Sequence, residues 1–379
     1  MKYFITILML FLSLSCEKQR EKVVDRWPPP LKQPKSIHYI IGEGANQEIV
    51  GRINYYRNGE ISKIENYKND NLHGTYKEFY DNGKRKIHGE FVHGLITGIW
   101  KEWNEVGFLS GECNFIEGNC NWVSRYENGA LKYEGSYINN LMNGLWIYYF
   151  DNGDTLGYGH FYNGNGTGIN PNSGVPENGR DLTWIFYHKN GQMKSERFYR
   201  QNEKHGQFVL WYENGQIQAN ANFENDKYDG ILSAYSENGQ ILREIEYSSD
   251  EKNGIENLWY ENGNRKSEGI YRQNEKHGQF EIWYENGQIL SEVQYSSDEK
   301  NGIENLWYEN GNRKSEGIYR QNEKHGQFVL WYGNGQMKER GEYIDGKKNG
   351  WWNHWYYDGS RKDDYLYVEG LFTKLRSHK

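Results

Sequence analysis

Residues 279–295 read QFEIWYENGQILSEVQY. Asn286-Gly287 is a strong short hairpin signal, because both residues tolerate the positive φ of a type I′ turn. Before it, Phe280, Ile282 and Tyr284 alternate with Gln279, Glu281 and Trp283. After it, Ile289, Val293 and Tyr295 alternate with Leu290, Glu292 and Gln294. Period-2 alternation gives one apolar and one mixed face. A two-residue turn sets Tyr284 opposite Ile289 and Phe280 opposite Val293. The stretch therefore predicts a β-hairpin.

Working outward, the turn glycine recurs thirteen times from Gly59 to Gly359, and ten of the twelve intervals are equal, as from Gly263 to Gly287 to Gly311. The interval ending at Gly129 is slightly shorter and the one ending at Gly191 much longer. In most units a second glycine, such as Gly278 or Gly326, stands nine residues earlier. Segments such as SSDEKN and RQNEKH link one hairpin to the next. The segment Tyr260–Phe280 recurs letter for letter at Tyr308–Phe328. A catalytic site is needed once, so identical copies predict architecture. The expected fold is all-β: an elongated single antiparallel sheet of tandem 24-residue hairpin repeats. Thirteen hairpins give about 26 strands, or roughly 125 Å along the stacking direction. Such a sheet twists, and its stability is mostly nearest-neighbour.

Composition fits that picture and excludes others. The chain has 379 residues, 36% hydrophobic and 16% aromatic, with 32 Tyr and 14 Trp. Aromatic rings must supply much of the burial. A net charge of −7 argues against a nucleic-acid partner, which needs a basic stripe.

The N-terminus is a separate object. MKYFITILMLFLSLSC has one basic residue and an apolar run too short to span a bilayer, as in a signal peptide. Small residues before Cys16 resemble a bacterial lipobox, with Ser13 where the pattern has Leu; plain cleavage after Ser15 is the alternative. The domain reading is residues 1–15 signal peptide, 16–36 lipid-attachment Cys16 and Pro-rich tether, 37–370 repeats with an insertion near 154–186, and 371–379 a C-terminal tail. The expected location is a bacterial membrane, as an exported lipoprotein facing the periplasm or the surface.

The recurring order G-x-W-x-x-W-Y-x-N-G, with a Tyr eight residues after the last Gly, resembles the MORN-repeat variant of the YwqK-type bacterial proteins, over about Asn54 to Gly370. That resemblance implies tandem β-hairpin repeats and no catalytic residues. Members are commonly labelled toxin–antitoxin antitoxins. For an exported chain this implies a protein partner, with a toxin as one candidate, and an immunity-like role.

Candidate site residues follow from the repeat. Trp211, Trp259, Trp283, Trp307, Trp331 and Trp355 each stand four residues before a turn glycine. Such a ladder could stack on carbohydrate or on a partner's apolar side chains. The alternative is that the rings pack on each other or on Lys and Arg stems. Cys113 and Cys120 lie in the short unit and form a candidate disulfide, Cys16 being spent on lipid. His205, His277 and His325 are repeat positions too far apart to share a metal ion. The segment from Tyr162 to Asp181 has no phosphate-loop or dinucleotide order; it reads as a flexible loop or a degenerate unit, and as a second candidate contact. No nucleophile–base constellation stands out. The expectation is a non-enzymatic binding protein without cofactor or metal. Its ligand is a protein, or alternatively carbohydrate or cell wall along the aromatic face.

Overall fold

The computed structural model describes residues 19–28, 31 and 33–378. The predicted signal peptide and Cys16 lie outside the described residues. The chain is all-β. Thirty-one strands belong to an antiparallel sheet, and no α-helix occurs among the described residues. Two compact units divide the chain. One holds the residues up to Gly191 with Tyr199–Asn202; the other holds Gln192–Phe198 with the residues from Glu203 onward. Within each unit, strands next to each other in sequence mostly pair in the sheet, as Arg265–Arg272 does with Glu275–Trp283. The two-residue strands Asn71–Leu72 and Lys227–Tyr228 pair with the strand before them, which also pairs with the strand after.

Two predicted boundaries differ. Arg20–Arg26, expected in the tether, is a strand paired with Pro34–Ile41, Glu21 facing Tyr39. Leu371–Arg376, expected as a tail, pairs with Asp364–Val368. Val23-Val24 and the Leu371-Phe372 pair supply the β-branched and apolar residues that favour pairing over an open chain.

The Asn-Gly turn differs from the expectation. Gly287 N donates to Tyr284 O at 2.9 Å and Tyr284 N to Gln288 O at 2.8 Å. Gly287 alone in this loop has a positive φ, 84°. That is a type I turn closed by a glycine bulge, one residue longer than a type I′ hairpin. Hence Trp283, not Tyr284, faces Ile289. A compensating register shift further down returns Phe280 to Val293, as expected.

The type I′ turns are at the links instead. Ser297 and Asp298 have φ of 49° and 62°, and Gln273 and Asn274 have 49° and 69°. Ser296 pairs directly with Glu299, so SSDEKN is mostly strand. Asx side chains hold these turns to one another. Asp298 Oδ1 accepts from Lys276 N at 2.8 Å, and Asn322 Oδ1 accepts from Lys300 N at 2.8 Å. An acidic or amide side chain suits that place, since it tolerates the left-handed backbone and accepts that bond; in the turn at Asp345-Gly346 a glycine supplies the backbone tolerance alone.

Burial is carried by aromatic rings lying flat on glycine. A Cβ on Gly135 would come within 2.1 Å of the Trp146 indole, and one on Gly269 within 2.2 Å of Phe280. Only glycine lets a ring lie that close to the backbone. In the first unit Trp100, Trp122, Trp146 and Trp184 form this row, joined by Phe115, Phe161 and Phe186. In the second, Phe280, Phe328 and Trp352 occupy it; Phe280 is flanked edge-on by Tyr271 and Tyr295, and Phe328 meets Tyr343 edge-on. Ile282, expected on the apolar face with Phe280, is 40% exposed. Its neighbours are Ser267 and Ser291, too small to cover it.

Candidate binding surface

The six candidate tryptophans all fall in the second unit. Each is half-buried. The repeat explains how they are held. Tyr260 Oη donates to Trp283 O at 2.8 Å, Tyr284 to Trp307 O at 3.0 Å, Tyr308 to Trp331 O at 3.0 Å and Tyr332 to Trp355 O at 3.0 Å. The asparagine of the same motif does two jobs. Asn286 Oδ1 accepts from Gln288 N at 2.9 Å within its own turn, and its amide donates to Glu309 O at 3.2 Å in the next. Tyr-x-Asn-Gly is thus a stitch between successive turns, and it fixes the backbone on which each indole stands.

The indole faces are partly occupied. Guanidinium groups lie over three of them: Arg265 at 5.8 Å from the Trp283 centroid, Arg313 at 6.0 Å from Trp331, and Arg361 at 4.7 Å from Trp355. Arg265 and Arg313 are in turn paired with Glu268 and Glu316. Beside Trp283, Glu281 sits between Glu268 and Glu292 on the adjacent strands. Burial, and then those two carboxylates, hold Glu281 above the ordinary carboxylate range. The result is a row of Trp, Arg and Glu on rigid strands. The arginines were not singled out from sequence; the usable signal was their recurrence at equivalent places in the duplicated segment, Arg265 in one copy and Arg313 in the other.

The other candidates are placed as follows. Cys113 and Cys120 form a disulfide, Cα to Cα 6.4 Å, in the first unit. His205 Nδ1 lies 3.4 Å from Glu224 and His325 Nδ1 3.3 Å from Asp345, each a local pair. Among the described residues no group of three His, Cys, Asp or Glu could hold a metal ion.

The insertion is not a loose loop. Asn170 N donates to Val175 O at 3.1 Å and Glu177 N to Gly168 O at 3.0 Å, so it folds back on itself. Val175 is fully buried in the aromatic core. Arg180, 1% exposed, donates from Nε to Pro176 O at 3.0 Å and stacks on Trp184 at 4.8 Å. A buried guanidinium with carbonyl and ring partners is a strong clasp. Sequence patterning could not show this, because one valine and one arginine carry it.

Comparisons with known proteins bear on the repeats. A family model described as MORN repeat variant matches ten segments: residues 52–69, 72–93, 121–139, 180–201, 204–225, 228–249, 252–273, 276–297, 300–321 and 324–345. No curated protein matches the chain. Among solved structures, a chain of "Crystal Structure of TcdB2-TccC3-Cdc42" is similar at 10% identity and a TM-score of 0.16, covering 88% of this chain and 19% of that one. A chain of "Crystal Structure of TcdB2-TccC3" is similar at 11% and 0.15, covering 91% and 24%. This chain thus spans less than a quarter of their length, and so loose a superposition says nothing of shared activity.

Proposed function

The chain belongs to the MORN repeat variant family, and from that premise we propose that it is a non-enzymatic binding protein whose partner is another protein. The observation that carries this is the half-buried Trp row with arginines on its rings, Trp283, Trp331 and Trp355 above all. Trp and Arg are the residues most enriched where proteins meet, and half-buried rings on rigid strands lose little entropy on contact. A guanidinium already on the ring face competes with a sugar for it. That favours a protein partner over the carbohydrate reading. Read with the signal-peptide-like N-terminus and Cys16, the protein is a lipid-anchored component of a bacterial envelope. An immunity-like restraint of a toxin is the role the family label suggests.

The test is affinity capture of the full-length protein from native membranes, alongside a variant with Trp283, Trp307 and Trp331 all changed to Ala. A stoichiometric protein lost from the variant, with the circular dichroism unchanged, supports the proposal. Recovery of glycan fragments alone moves the assignment to carbohydrate. Capture undiminished by the triple change places the surface elsewhere.

A further inference from the structure

In the first unit, the sheet face turned away from the aromatic core carries a hollow. Tyr148, Gly157 and Phe186 form a cross-strand row on the core face. Side chains alternate along a strand, so the adjoining row of Ile147, Tyr158 and Ile185 points to the other face. There Ile147, Tyr149, Asp154, Thr155, Tyr158 and Tyr187 line a hollow of about 480 Å³ beside the turn glycine Gly191. Small-molecule sites usually measure about 300–1,000 Å³. The three tyrosines are half-buried and Asp154 is exposed, so all four are open to a ligand.

The repeat explains why the hollow is there. Arg265 and Arg313 stand two residues after a turn glycine, and their guanidinium groups lie over Trp283 and Trp331, four residues before the next turn glycine. The equivalent pair in the first unit is Thr155 and Tyr187. Threonine is too short to cover the ring. The carboxylates that pair with those arginines, Glu268 and Glu316, are replaced at the same place by a third ring, Tyr158. The stitch between turns is missing here as well. Phe150 has no hydroxyl to donate, and the Asn152 amide donates to Asp154 Oδ2 at 2.7 Å inside its own turn. A Cβ on Gly191 would meet nothing within 4 Å, whereas one on Gly287 would meet the Asn264 amide at 3.5 Å.

The hollow offers ring faces and a carboxylate. The Tyr158 and Tyr187 rings are 6.3 Å apart, tilted by 33°. Burial, and then a hydrogen bond with Tyr158, raise the Tyr187 phenol. Tyr149 Oη donates to Glu134 Oε1 at 2.6 Å. These hydroxyls are engaged within the protein, which disfavours a sugar that would need them as partners. Aromatic faces carry partial negative charge, and beside a carboxylate they select a cation. Among the described residues no Lys or Arg lies over these three rings; Lys189 lies over Phe150 instead, at 5.9 Å.

We propose that this hollow binds a small alkylated ammonium ion of the choline type. Its alkyl groups lie on Tyr149, Tyr158 and Tyr187 and its charge faces Asp154, in the place that Arg265 and Arg313 fill in the later repeats.

The test is isothermal titration calorimetry of the full-length protein with choline and with its neutral isostere, 3,3-dimethylbutan-1-ol. Choline binds saturably at one per chain, about tenfold tighter than the isostere. Thr155→Arg supplies the missing guanidinium and abolishes choline binding, with the circular dichroism unchanged. Asp154→Asn, an exposed change to the residue type found at Asn264, removes most of the preference for choline over the isostere, and it decides the matter if Thr155→Arg disturbs the fold. The triple Trp283, Trp307 and Trp331 change leaves choline binding intact, which separates this site from the partner surface. Tighter binding of dihexanoylphosphatidylcholine than of choline assigns the ammonium to a lipid headgroup, and the reverse assigns it to a free cation; either supports the site. The proposal is overturned by absence of saturable choline binding, by equal affinity for choline and the isostere, or by choline binding that survives Thr155→Arg in a folded protein. It is also overturned by an Asp154→Asn variant that keeps the full preference, or by saturable binding of methyl glucoside in place of choline.

Discussion

Tyr284 shows what a single repeat residue does. Its hydroxyl spans to the next turn and donates to Trp307 O at 3.0 Å. Removing it leaves a partly buried carbonyl without that donor. Tyr284→Phe is therefore expected to cost about 1 kcal/mol, read as a lower denaturant midpoint at unchanged slope. Glu281 makes a different point, about like charges. It faces Glu268 on one side and Glu292 on the other. Its carboxyl is held above the ordinary range by burial and by those neighbours. The folded state thus binds this proton more tightly than the unfolded chain. Stability contributed by the group rises as pH falls from neutral through the raised value, and levels off below the ordinary carboxylate value. Glu281→Gln should stabilise by about 0.5 kcal/mol at neutral pH and by nothing near pH 3, checked by melts at both.

At the scale of the element, the ring-on-glycine pair is the main unit of burial, and two repeats put a carboxylate where the ring would stand. Glu256 and Glu304 occupy the position that Phe280 and Phe328 hold in their neighbours, opposite Gly269 and Gly317. Glu304 is 7% exposed and pairs with the Lys300 ammonium; Glu256 pairs with Lys252 at 2.8 Å. Burial and the adjoining Glu256 push the Tyr271 phenol up to about 12. A buried ion pair repays its desolvation poorly, and an apolar replacement of similar size is often better. Glu304→Phe paired with Lys300→Met is therefore expected to be neutral or to stabilise by about 1–3 kcal/mol, whereas Glu304→Ala alone destabilises. Chemical denaturation of the two variants decides it.

For the whole molecule, stability is a sum over neighbouring strands, so a perturbation stays local. The disulfide tests this. Cys113 and Cys120 close a short loop in the first unit, and reduction should cost about 2–3 kcal/mol there. Hydrogen exchange should quicken around residues 95–140 on reduction and remain unchanged beyond residue 250. Loss of protection along the whole chain would contradict nearest-neighbour stability.

Much of this was legible in the sequence. The even spacing of the turn glycines, the alternation around Asn286-Gly287 and the aromatic content determined an antiparallel hairpin array, because local turn chemistry and side-chain parity repeat wherever the motif repeats. Sequence also located the Trp row. It did not place the type I′ turns, since Asn-Gly serves equally in a type I turn with a glycine bulge; the choice was made by the ladder on either side. It did not show that the indoles are half-buried under Arg265, Arg313 and Arg361, because those contacts reach across strands. Nor did it show that Ile169 and Pro176 of the insertion come to lie near Trp122 and Tyr148 of the sheet. Periodicity reports what recurs. The insertion occurs once, held by Val175 and Arg180, and only packing in three dimensions decides where a unique segment comes to rest.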